Sequence, residues 1–162
     1  MTYKAPAETR VGHIHLKVSD LERSIAFYRD VLGFEVKLRY GEQAAFMAAG
    51  SYHHHIGLNT WHSEGAPAVT KKAAGMYHVA FLYPDRAALG QVAASVRGAG
   101  VEIYGAADHG VSQAIYLDDP DGNGIELYWD RAPELWKTSD DGHVEMINAP
   151  LDVDALIADS AA

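Results

Sequence analysis

Cysteine is absent from all 162 residues. Disulfides, thiolate metal sites and cysteine nucleophiles are therefore excluded, and any metal must be held by nitrogen and oxygen donors. Positive charge is also scarce: 13 Lys and Arg face 22 Asp and Glu, for a formal net charge of −9. Binding a phosphate backbone needs clustered cations that displace counterions, so nucleic acid is not an expected partner. No run of about 18 or more apolar residues is present to span a bilayer as a helix, and no membrane partner is expected. The first residues, Met1-Thr-Tyr-Lys-Ala-Pro-Ala-Glu, lack the apolar core of a secretory signal, and a cytoplasmic location is expected.

What is present suits one compact domain: a hydrophobic content of 48% at this length builds an ordinary core. The compositional oddity is nine histidines scattered through the interior of the sequence.

The chain repeats once. Val11-Gly-His-Ile-His-Leu-Lys-Val alternates with period two, Asp20 is placed to cap a helix, and Leu21, Ile25, Tyr28 and Leu32 recur at helical spacing. Gly33 ends that helix, and Phe34, Val36 and Leu38 line one face of a strand. Two further strands are predicted, Ala44 to Ala48 and Tyr52 to Trp61. The same order returns with Met76-Tyr-His-Val-Ala-Phe-Leu, a cap at Asp85, a helix carrying Leu89, Val92 and Val96, then Gly100 and a strand over Val101 to Tyr104. His13 and His78 are 65 positions apart and Gly33 and Gly100 are 67 apart, as expected of two copies differing by a small insertion.

The predicted class is α+β: two βαβββ modules forming a curved mixed sheet around a metal-containing cavity, with helices on the outer face. Residues 1–10 form an N-terminal extension and 11–132 a single domain. Within it lie module one (11–61), a turn-rich linker (62–75) and module two (76–132). Residues 133–162 form a C-terminal tail, with a short helix predicted at Val153 to Ala158.

Parity then places the chemistry. Ile14, Leu16 and Val18 share the apolar face of the first strand, so His13, His15 and Lys17 point the other way. In the second copy Val79 and Phe81 leave His78 opposite, and near the end Ile125, Leu127 and Trp129 leave Glu126 opposite. Two imidazoles and a carboxylate on equivalent faces make the inventory of a facial metal triad, which keeps coordination positions open. In the Tyr52 to Trp61 segment, alternation puts His53, His55 and Asn59 on one face and His54 with Tyr52 on the other. The His53-His54-His55 run also reads as a polar strand of hydrogen-bonded imidazoles.

The run His13-Ile-His-Leu-Lys-Val-Ser-Asp-Leu-Glu-Arg-Ser-Ile-Ala-Phe-Tyr-Arg-Asp-Val-Leu-Gly-Phe resembles the opening module of the vicinal oxygen chelate superfamily, the glyoxalase and extradiol dioxygenase fold. Asp119-Pro-Asp-Gly-Asn-Gly-Ile-Glu126 resembles its closing motif. The resemblance covers about residues 11–130 and implies that His13, His78 and Glu126 are the metal ligands. Asp108-His109-Gly-Val-Ser-Gln-Ala-Ile-Tyr116 through Glu126 resembles the type I extradiol dioxygenase motif. Tyr52-His-His-His-Ile-Gly-Leu-Asn-Thr-Trp61, Tyr77-His-Val-Ala-Phe and Tyr128-Trp-Asp-Arg131 are similar to catechol-2,3-dioxygenase-like proteins of the CatE type.

The resemblance implies a dioxygenase that cleaves a catecholic aromatic ring with O2, with Fe(II) as cofactor and Mn(II), Ni(II) or Zn(II) as alternatives. Tyr116 would hydrogen-bond the substrate, and His55 or His109 would accept a catechol proton and return it. Phe46, Tyr77 and Tyr128 are candidate pocket residues that serve equally as core. The alternatives within the same fold are a glyoxalase-like lyase or isomerase using nickel or zinc, and a protein that binds an aromatic ligand or antibiotic. Glyoxalase I proteins usually add an acid on the fourth strand, and Ser51 to Trp61 contains none. A homodimer is the expected assembly.

Overall fold

The computed structural model describes residues 2–161. The chain divides into two compact units, Met1–Arg29 with Gly33–Ala66, and Asp30–Leu32 with Pro67–Ala162.

The first unit holds β1 (Ile14–Lys17), α1 (Leu21–Ala26), β2 (Glu35–Tyr40), β3 (Ala44–Ala48) and β4 (Ile56–Asn59). Its sheet has the order β1-β4-β3-β2, with β1 parallel to β4 and the other pairs antiparallel. Asp20 is extended and its carboxylate accepts from the Arg23 N–H at 3.0 Å, satisfying one of the free donors that open α1. The helix buries Leu21, Ser24 and Ile25, packs on β3 and β4, and widens into a π-helical turn over Phe27–Val31. Gly33, with φ at 80°, turns the chain out of this helix, a left-handed conformation that an L side chain resists. Val18, Ile25, Tyr28, Met47, Ile56 and Leu58 lose essentially all exposure. Each large apolar side chain buried this way contributes about 1.5–3 kcal/mol.

The second unit repeats the pattern with β5 (Val79–Leu82), α2 (Arg86–Gly98), β6 (Gly105–Asp108), β7 (Ser112–Asp118) and β8 (Gly124–Asp130). Its sheet order is β5-β8-β7-β6-β9, where β9 is the short strand Ala149–Pro150, with β5 parallel to β8 as β1 is to β4. Asp85 caps α2 by accepting from Ala88 N at 2.7 Å, as Asp20 caps α1. The class is therefore α+β, built from two βαβββ modules as the sequence predicts.

Two strands differ from expectation. Val101 to Tyr104 is irregular because Gly100 and Val101 donate back to the Arg97 and Val96 carbonyls, which keeps the chain engaged with the end of α2. The last strand of the predicted Tyr52 to Trp61 run shrinks to β4, because Ser51 to His55 is drawn into a turn. There His55 N donates to Met47 O at 2.8 Å and Ala49 N donates to His55 Nδ1 at 3.3 Å. His53 and His55 consequently do not alternate along a strand.

Residues 133–161 are integral to the second unit. A 3-10 turn at Pro133–Leu135 is followed by β9 (Ala149–Pro150), which adds a fifth strand beside β6, and by α3 (Val153–Asp159). α3 packs on α2 with Leu156 fully buried. Their approach requires Gly90: a Cβ there would lie 2.5 Å from the Leu156 carbonyl oxygen. Among the described residues no helix is long and apolar enough to cross a membrane.

Candidate active site

The register of the second sheet assembles the site. β7 and β8 form a hairpin whose turn is held by Asp119, which accepts from Asp121 N at 2.9 Å and Asn123 N at 2.8 Å. That turn sets Tyr116 directly opposite Glu126. β5 runs parallel to β8 with Ala80 opposite Glu126. His78, two residues before Ala80, shares its face and so meets Glu126 diagonally.

The side chains form a continuous hydrogen-bonded chain. His78 Nε2 lies 2.9 Å from Glu126 Oε2, and the Tyr116 hydroxyl donates to Glu126 Oε1 at 2.9 Å. His109 Nε2 lies 2.9 Å from the Tyr116 hydroxyl, and its Nδ1 lies 3.1 Å from the Ile147 carbonyl. Burial first, and then the hydrogen bond to Glu126, push the Tyr116 phenol well above its ordinary pKa. It stays a proton donor across the neutral range. Gly124 makes room for His78: a Cβ there would sit 2.3 Å from the Tyr77 carbonyl and 3.2 Å from His78 Cβ.

A proton count is informative. A carbonyl oxygen only accepts, so His109 Nδ1 carries a proton. Three bonds, to Ile147, between His109 and Tyr116, and to Glu126, need three hydrogens. Neutral imidazole, neutral phenol and an ionised carboxylate supply two between them. The chain is built to hold one proton more than its resting groups own.

The loop that carries His109 is clamped from outside. Asp108 accepts from Arg131 Nη1 at 2.8 Å and Nη2 at 2.6 Å, from Gln113 at 2.9 Å and from Gly110 N at 2.8 Å. The Arg131 guanidinium, more than any other neighbour, holds the Asp108 carboxyl far below the usual carboxylate range. This pair is not signalled by any local pattern, although the β7–β8 register, with Ser112 opposite Asp130, brings Arg131 beside the loop.

The first module carries different side chains at equivalent positions. Ile14 pairs with Ile56 as Val79 pairs with Ile125, so the counterpart of Glu126 is Gly57, and the residue opposite Gly57 on β3 is Phe46 rather than a tyrosine. The His15 ring occupies the space over Gly57, within 3.0 Å of where a Cβ would be, and stands edge-on to Phe46 at 5.7 Å. His13 precedes β1 as His78 precedes β5, and its ring lies 4.5 Å from that of His54. His54 in turn meets His53, with their Nδ1 atoms 2.7 Å apart. His55 is held by Ala49 N and by the rings of Phe34 at 6.2 Å and Tyr52 at 4.8 Å.

Of the residues singled out in the sequence, His78, His109, Tyr116 and Glu126 are thus brought together in the second unit. His13 and His55 belong to the first. Among the described residues no group of three or more His, Asp or Glu converges on one ion-sized position. Of the candidate pocket aromatics, Tyr77 is 91% exposed, whereas Tyr128 follows Glu126 on the same face of β8.

The family described as the Glyoxalase/Bleomycin resistance protein/Dioxygenase superfamily matches residues 10–127. The chain belongs to that superfamily. It is 36% identical to a catechol-2,3-dioxygenase of Bacillus subtilis over 154 residues, 94% of this chain and 53% of that one. It is 30% identical to biphenyl-2,3-diol 1,2-dioxygenase 3 of Rhodococcus globerulus, over 84% of this chain and 71% of the relative. The chain therefore spans about half the length of the first of these. Among solved structures, a glyoxalase/dioxygenase from Nostoc punctiforme matches with a TM-score of 0.65 at 22% identity, covering 82% of this chain and 99% of that one. That likeness shows the superfamily fold. The relatives named for dioxygenase activity bring the ring-cleaving branch into view.

Proposed function

We propose that the protein is an extradiol-type dioxygenase that opens a catecholic ring with O2 at an iron(II) site held by His13, His78 and Glu126. The observation that carries this reading is the hydrogen-bonded chain from His109 through Tyr116 to Glu126, which ends on a carboxylate touched by His78.

The donors of the second unit fit a metal. His78 Nε2 and Glu126 Oε2 are 2.9 Å apart, an imidazole nitrogen beside a carboxylate oxygen, and the two would hold the ion together. His13, proposed as the third donor on the strength of the sequence pattern, would complete the two-imidazole, one-carboxylate set that suits iron(II) with open positions. When bound, iron(II) supplies a template for both reactants, a lowered phenol pKa and a path for electrons.

The protein's own part is proton handling. A catechol must shed protons to present its oxygens, and a group that accepts one and returns it to the opened product works best with a pKa near neutrality. His109 takes this role, because its ring touches Tyr116 and the chain has room for one further proton. His55 is occupied in the turn before β4 and serves packing. Tyr116, kept protonated by its surroundings, turns the hydroxyl hydrogen it otherwise gives to Glu126 toward a substrate oxygen, and does not act as the base.

Gly57 favours this reading over a lyase. The β4 position equivalent to Glu126 carries no acid, so β4 offers no second carboxylate to act as a fourth ligand.

The test is anaerobic loading with iron(II), followed by addition of catechols and oxygen. The expected result is stoichiometric oxygen uptake with a yellow ring-opened product. No uptake, with turnover of a hemithioacetal in the presence of nickel or zinc, would establish the lyase instead. Tight aromatic binding with neither reaction would establish a sequestering protein.

A further inference from the structure

We propose that the C-terminal segment is part of the acid–base machinery, with the main chain of Ile147 acting as the group that fixes the tautomer and angle of His109. The inference rests on His109 being the proton-handling residue, and it explains how a histidine on a hairpin loop is kept ready for that task.

Ile147 engages His109 twice. Its N–H donates to the His109 carbonyl at 3.0 Å, and its own carbonyl lies 3.1 Å from His109 Nδ1. The two residues are 38 positions apart, and they are brought together by the β6–β9 pairing just beyond them, in which Ala149 lies opposite Asp108 and Pro150 opposite Ala107. The segment is also tied before and after this point. Trp136 Nε1 donates to the Arg131 carbonyl at 2.8 Å, Glu145 N donates to the Lys137 carbonyl at 2.8 Å, and α3 packs on α2 through Leu156. On the far side of the loop Asp108 is gripped by Arg131. His109 thus sits between two anchored elements.

The chemical consequence follows from donor and acceptor roles. A neutral imidazole free in solution exchanges between two tautomers. A backbone carbonyl facing Nδ1 selects the form with hydrogen on Nδ1 and leaves Nε2 as the acceptor. Nε2 is the atom that faces Tyr116. Without Ile147 the imidazole can rotate or exchange tautomers, and the nitrogen that must receive a proton is no longer reliably the one pointing at the site. Ile147 is a positioning residue: it touches neither the reacting atoms nor the ligand carboxylate.

The test is 15N NMR of the His109 ring in the full chain, assigned by difference with His109→Gln, at a pH of about 8, above the usual imidazole range. It is combined with steady-state kinetics of the iron-loaded protein on a simple catechol. The wild-type ring is expected to carry its hydrogen on Nδ1. Ile147→Pro, which removes the N–H given to His109, is expected to shift the ring toward the Nε2–H form. It is also expected to lower kcat at least tenfold, with KM changed less than twofold and iron content unchanged. Met146→Ala, at an exposed neighbouring position, is expected to leave both readouts as in wild type. Should Ile147→Pro fail to fold, replacing the amide after Ile147 by an ester weakens the same carbonyl and is expected to give the same shift. A wild-type ring with hydrogen on Nε2 alone, or a disrupted Ile147 with unchanged tautomer, overturns the proposal. The ring tautomer is read without turnover, so absence of oxygen uptake with every catechol would refute the dioxygenase reading while the NMR result still decides this one.

Discussion

Tyr116 stands directly opposite Glu126 on the adjacent strand and gives its hydroxyl hydrogen to that carboxylate over 2.9 Å. One side chain is a proposed metal ligand and the other a proposed substrate donor, so removing the hydroxyl separates the two functions. Tyr116→Phe keeps the ring and its burial. It is expected to retain iron at wild-type stoichiometry while kcat falls about a hundredfold or more. Metal analysis beside oxygen uptake checks both halves.

Gly124 bears on the same pair through backbone. An added methyl meets the Tyr77 carbonyl at 2.3 Å, a main-chain atom that cannot swing aside. Gly124→Ala is expected to cost about 1–3 kcal/mol and to weaken iron binding by displacing His78. Gly98, at the end of α2 with open space around it, is the contrasting case. Gly98→Ala is expected to leave iron binding intact and to stabilise the fold by up to about 1 kcal/mol. Denaturant midpoints and iron titrations distinguish the two.

Asp108 gives a pH dependence with a definite sign. Its carboxyl titrates far below the ordinary carboxylate range because Arg131, Gln113 and Gly110 N favour the charged form. The stabilisation is therefore fully present above about pH 4, where the unfolded chain has already lost its proton. It is lost progressively as the pH falls toward the depressed folded-state value. Asp108→Asn is expected to cost about 1–3 kcal/mol at neutral pH and to flatten the acid limb of the stability curve. Denaturant titrations between about pH 2 and 5 measure this; equal slopes for wild type and variant would contradict it.

Leu156 tests whether the tail is structural. It is fully buried where α3 meets α2. Leu156→Ala is expected to cost about 2–5 kcal/mol, which thermal unfolding would register. A loss below about 0.5 kcal/mol would mean that α3 does not stay docked.

The two modules are legible in the sequence because their caps and turns are local, and Tyr116 and Glu126 are each marked there, though not their contact, which the hairpin register makes. Asp20 and Asp85 sit where caps must be, and Asp119-Pro-Asp-Gly marks the tight turn before β8. The same local reasoning misplaces the start of the strand predicted over Tyr52 to Trp61. His53 to His55 continue an alternating pattern on paper, but hydrogen bonds from His55 N to Met47 and from Ala49 N to His55 make a turn instead. The grip of Ile147 on His109 is not legible at all. It joins a ring nitrogen to a main-chain carbonyl 38 residues away, just before a two-residue strand, and such a contact leaves no periodicity and no composition to read.

Iron binding by three single variants tests the central claim most directly. In wild type one iron(II) per chain is expected. His13→Ala, His78→Ala and Glu126→Ala are each expected to lose most of that affinity while keeping a cooperative unfolding transition. Stoichiometric iron retained in all three would contradict the triad and remove the dioxygenase reading with it.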